Sequence, residues 1–61
     1  PAVEAALERL KPQERELIIA RVELGFSAAE IAAEFGKPTA AAAQMAVSRA
    51  LVKIAEEMSR G

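Results

Sequence analysis

Ser27-Ala28-Ala29-Glu30-Ile31-Ala32-Ala33-Glu34-Phe35-Gly36-Lys37-Pro38-Thr39, running straight into Ala40-Ala41-Ala42-Ala43-Gln44, decides the fold of this chain. Ser27 precedes Glu30 by three residues, the spacing of a capping box, in which each side chain satisfies a backbone N–H of a first helical turn. Gly36 suits the left-handed conformation that closes a helix. Pro38 prevents the first helix from continuing, and the Thr39 hydroxyl can cap the next one. Two helices joined by so short a glycine-containing turn predict a helix-turn-helix, whose second helix commonly enters the DNA major groove. The competing reading is a plain four-helix bundle, in which Gly36 and Pro38 only end one helix and start another.

Outward from this stretch, the remaining elements read as helices too. Val3, Ala6, Leu7 and Leu10 lay one apolar stripe along Pro1 to Leu10, with Glu4 and Glu8 opposite. Pro1 suits a first helical turn. Lys11-Pro12 interrupts, because the residue before proline is pushed out of the α region. Pro12 then starts a second helix, with Glu14 and Glu16 near its positive end. Leu17, Ile18, Ala20, Val22 and Leu24 predict a broad buried face, and Gly25 ends the helix. Phe26, just before the cap, is placed to staple back onto Ile31. Ile31, Ala32 and Phe35 form the expected inner side of the third helix. The fourth is expected to bury Ala43, Val47, Ala50, Leu51, Ile54 and Met58, and to end in a polar tail of Glu56, Glu57, Arg60 and Gly61. No strand alternation persists, so the class is all-α, four helices in one domain spanning residues 1–61.

Composition narrows the function. Sixty-one residues make one small domain whose core contributes about 3–5 kcal/mol. Cysteine and histidine are both absent, which removes thiolate sites and the usual general base and neutral metal ligand. Glutamates are the only candidate acids or bases, and each fits a helix N-terminus or a solvated face, so no enzyme and no cofactor is expected. No apolar run is long enough for a membrane span and no leader is evident, which points to a cytoplasmic protein. The start at Pro1, without methionine, reads as that of a segment of a longer chain. Eight Lys and Arg against nine Glu give a net charge of −1. That balance argues against strong autonomous DNA binding, since phosphate neutralisation supplies most non-specific affinity.

Three segments carry a resemblance: Leu10-Lys11-Pro12-Gln13-Glu14-Arg15-Glu16-Leu17, then Leu24-Gly25-Phe26-Ser27-Ala28-Ala29-Glu30-Ile31-Ala32, then Ser48-Arg49-Ala50-Leu51. In order and spacing they resemble the C-terminal region-4 domain of bacterial sigma-70-family factors, most nearly the extracytoplasmic-function group. Response-regulator DNA-binding domains share the middle segment alone. The resemblance implies recognition of the promoter −35 element while docked on the flap of the RNA polymerase β subunit. In such factors a −10-binding region precedes this domain.

Carried over by position, the resemblance puts Ser27 and Ala28 near phosphates at the start of the third helix. Lys37, Thr39, Ala40, Ala41, Gln44 and Ser48 face the major groove or its rim, and Arg49 and Lys53 serve as phosphate contacts or surface charges. Thr39 also reads as a plain cap, Gln44 as a solvated helix residue, and Arg49 as half of a surface pair with a glutamate such as Glu56. Two departures stand out. Lys37-Pro38-Thr39 is one residue longer than the isoleucine-serine many members carry after the glycine. The groove side (Ala40, Ala41, Gln44, Met45 and Ser48) holds no arginine or lysine, so Gln44 alone can make a bidentate adenine contact. Met45 and Val52, seven apart, mark a second apolar stripe, either a partner surface or packing under the first helix. The second functional reading is therefore a protein-interaction module, seen by the polymerase flap, an anti-sigma factor or a second copy in a homodimer. An engineered, alanine-simplified recognition helix is a third reading that the residues leave open.

Overall fold

The computed structural model describes residues 2–60, so the expectations for Pro1 and Gly61 lie outside the described residues. Four α-helices follow one another: α1 (Ala2–Arg9), α2 (Pro12–Ile18), α3 (Ala28–Glu34) and α4 (Ala40–Arg60). Between α2 and α3 the chain runs on as a π-helical turn, Ile19–Glu23. Among the described residues there is no strand. At 1.5 Å per residue a helix as long as α4 extends about 31 Å, which sets the long axis of the 34 × 18 × 15 Å molecule. Every other helix packs on α4, and α3 does so over the largest share of residues.

The core forms in two pieces strung along α4. At its N-terminal half, Leu17, Ala20, Ile31, Ala32, Ala43 and Val47 close together, with Phe26, Phe35 and Ala46 packed against them. Further along, Leu10, Ile18 and Ala50 form a smaller cluster under Leu7 and Ile54. At the α3–α4 contact the small side chains of Ala32, Ala43 and Ala46 sit beside Ile31 and Val47. Ile31 and Ala43 are both fully buried at that contact.

The predicted cap chemistry is in place. Ser27 Oγ accepts from the Glu30 N–H at 3.1 Å, and Glu30 Oε1 accepts from the Ser27 N–H at 2.8 Å. Gly36 takes φ 67°, and the Lys37 N–H reaches back to the Ala32 carbonyl at 2.8 Å, a Schellman closure of α3. Thr39 Oγ1 accepts from the Ala42 N–H at 3.0 Å and so caps α4. At the start of α2 the Lys11 N–H donates to Glu14 Oε1 at 3.0 Å. This is half a capping box, since the lysine ammonium has no lone pair with which to accept in return.

Four expectations need correcting. Val22 and Leu24 are not part of the core; they stand 64% and 61% exposed. The cause is the π-helical turn, in which the Leu24 N–H bonds the Ile19 carbonyl five residues back, at 3.0 Å. The extra residue in that turn rotates Leu24 away from the position above Ala20. Leu51 and Met58 are also largely exposed, because α1 and α2 cover only the flank of α4 that carries Ala50 and Ile54. Val3, in the first turn of α1, is exposed as well. The C-terminal residues are not a tail: α4 continues to Arg60, and Glu57 pairs at 3.9 Å with both Arg9 and Arg60.

Candidate nucleic-acid interface

Successive residues of an α-helix are about 100° apart, so the buried Ala43, Val47 and Ala50 fix which way α4 turns its other side chains. Ala40, Ala41, Gln44, Met45, Ser48, Arg49 and Val52 are all exposed, and most of them cluster on the side away from the core. The Met45 and Val52 stripe faces solvent, at 56% and 59% exposure, and does not pack under α1. α3 and the Gly36–Thr39 turn hold the first turns of α4 in place. Ile31 and Ala32 press against Ala43 and Val47 from one side, and the Thr39 cap fixes the helix start.

The sequence-predicted contact residues fall into two groups. Lys37, Thr39, Ala40, Ala41, Gln44, Ser48 and Arg49 run from the turn along the first half of α4, exposed except for half-buried Lys37. Ser27 and Ala28 sit apart, at the start of α3, with Ser27 exposed and Ala28 half-buried. The Ser27 hydroxyl accepts from the Glu30 N–H within the cap. At the head of α4 the backbone N–H groups of Ala40 and Ala41 have no acceptor among the described residues. They point out of a helix N-terminus, where an anion is favoured. Arg49 has no carboxylate within ion-pair distance among the described residues, so the expected pairing with Glu56 is not made.

Arg21 escaped the sequence reading. Its Nη1 donates to the Phe26 carbonyl at 3.2 Å, which holds the guanidinium beside the chain entering Ser27. The left-handed bend at Gly25, φ 71°, folds Phe26 back far enough for this bond. Nothing in a spacing of five residues signals that approach. A further surface lies between the π-helical turn and α3, an open groove of about 460 Å³ lined by Ile19, Ala20, Leu24, Phe26 and Phe35, with Glu16 and Glu34 at its edge. It takes no residue from α4.

Among the described residues no three acidic, histidine or cysteine side chains gather where they could hold a metal ion. No described helix is long and apolar enough to cross a membrane. Against known families, the chain matches the model described as sigma-70, region 4, over residues 2–54. No curated protein and no solved structure matches it.

Proposed function

The chain belongs to the sigma-70 region 4 family, and from that premise we propose that it reads a promoter −35 element with the first half of α4 while docked on the β flap of RNA polymerase. The family works in transcription initiation, by binding DNA and polymerase and not by catalysis. Residues 1–61 act as one region-4 module, and the segments around Leu10–Leu17, Leu24–Ala32 and Ser48–Leu51 favour the extracytoplasmic-function group. The observation that carries this reading is the capped turn that holds α4 with Ala40, Ala41, Gln44, Met45 and Ser48 all exposed.

Within it, the residues take distinct roles. Gln44 is the one side chain in the first turns of α4 able to bond a base edge bidentately. Ser48 and Thr39 hydroxyls reach the groove rim. Lys37, Arg49 and the free amides of Ala40 and Ala41 take phosphates, as do Ser27 and the α3 start at Ala28, with Arg21 beside them. Such contacts set register and supply affinity without reading sequence. Titration of labelled −35 duplex at two salt concentrations tests the reading. With three or four cationic contacts, log affinity should fall with log salt at a slope of roughly −3. Absence of binding at low salt, both for the chain alone and for the polymerase-bound protein, overturns it.

The near-neutral charge favours a protein partner carrying part of the work. The groove between the π-helical turn and α3 supports that: it is apolar, edged by two carboxylates, and shares no residue with α4. The polymerase β flap is its proposed occupant, so DNA and polymerase are held at once. Leu24→Glu, on an already exposed residue, should abolish polymerase binding and spare folding. Loss of anti-sigma capture or of self-association, with polymerase binding intact, would assign the groove to those partners instead.

A further inference from the structure

Gln44 and Met45 differ from every other exposed side chain in the first turns of α4, because the rest are alanines and a serine. Guanine is read by arginine or lysine on O6 and N7, and cytosine by a carboxylate on N4. Neither type occurs between Ala40 and Ser48. Lys37 precedes the helix, and Arg49 lies more than a turn beyond Gln44. What these turns present instead is one amide and an apolar surface, with Met45 more than half exposed. In the floor of the major groove the matching features are the adenine N6/N7 edge and the thymine C5-methyl, the apolar group a base offers there.

We propose that α4 selects A·T pairs, with Gln44 bonding an adenine edge and Met45 and Ala41 packing on thymine methyl groups. This rests on the reading of α4 as the helix in the groove. Specificity then comes from one amide and from apolar contact, while register comes from phosphates. A flexible, polarisable thioether suits that work because it adapts to the position of the methyl.

The test uses the protein assembled with RNA polymerase core and a duplex pool randomised over the −35 window. Retained duplexes should be enriched in A·T pairs opposite the start of α4. Replacing thymine by uracil in a selected duplex should then weaken binding about four-fold for each contacted methyl. Met45→Ala should remove the roughly four-fold step at the methyl that Met45 contacts and leave the step at the methyl that Ala41 contacts. Enrichment of G·C pairs, or equal retention of thymine and uracil duplexes, overturns this inference and leaves the −35 reading standing. Retention of no duplex at low salt overturns the −35 reading itself.

Discussion

The two sides of α4 are built from nearly the same residues and have opposite fates. Ala43, Val47 and Ala50 are sealed against α3 and α2, while Ala41, Met45 and Val52 stand in solvent. Hydrophobicity does not separate them; phase does. On the inner side a small side chain is required, since it sets how closely the α3 backbone can approach. On the outer side a small side chain is only permitted, and what it leaves uncovered is the backbone N-terminus and one amide. The shape and the proposed grip on DNA thus fall on separate faces of one helix, so each can be broken without the other.

The largest break is expected at Ile31, the biggest side chain fully buried where α3 meets α4. Ile31→Ala should cost about 2–5 kcal/mol. In a domain whose core contributes about 3–5 kcal/mol, that removes most of the stability at 25 °C, visible as a strongly lowered denaturation midpoint in helical circular dichroism. The sharper comparison follows from a matched pair. Ala43→Leu adds volume at the sealed crossing and should destabilise by about 1–3 kcal/mol. Ala41→Leu adds the same volume two residues earlier in open solvent and should shift stability by no more than about 0.5 kcal/mol. Equal effects of the two in a denaturant titration would mean that Ala43 and Ala41 do not lie on opposite sides of α4.

Next in size is the cap that places α3. Ser27→Ala removes an acceptor from the Glu30 N–H and should cost about 1 kcal/mol. The same box carries a pH dependence of known sign. Glu30 is held below the ordinary glutamate value of 4.5, first by accepting the Ser27 backbone N–H and then by the Ser27 side chain, against a small opposing effect of burial. A depressed folded pKa contributes stability above the unfolded value, and that contribution is lost as pH falls below 4.5 and through the folded value. Glu30→Gln should therefore flatten the melting-temperature profile as pH falls below 4.5.

How far these features are legible in the chain depends on the range of the physics involved. Ser27 with Glu30, Gly36 and Thr39 act over three to five residues, and each does what its spacing predicts. The inner phase of α4 through Ala50 is equally local, because a periodic stripe needs only one helix to define it. The π-helical turn is different. It satisfies no rule of spacing, and it moves Val22 and Leu24 from the expected core to the surface. Leu51 and Met58 continue the apolar stripe of α4, but α1 and α2 cover only the flank that carries Ala50 and Ile54, a matter of packing that periodicity does not carry. Among the candidate contacts, exposure along α4 follows from phase, whereas Arg21 reaches Phe26 only once the chain has bent at Gly25.

The smallest expected effect lies at Val52, two turns beyond Met45 on the outer side and well exposed. If that side of α4 is free of the fold, Val52→Lys should change stability by no more than about 0.5 kcal/mol, since the side chain loses almost no buried area. A lysine there also adds a cation next to Arg49 and Lys53, on the flank assigned to phosphates. Affinity for duplex DNA should therefore rise slightly, and equally for matched and mismatched sequences, with the salt slope steeper by about one. A loss of stability well above 0.5 kcal/mol would place Val52 within the packed part of the molecule. Unchanged stability with unchanged salt slope would move the phosphate path away from this half of the helix and confine DNA contact to the turns between Thr39 and Ser48.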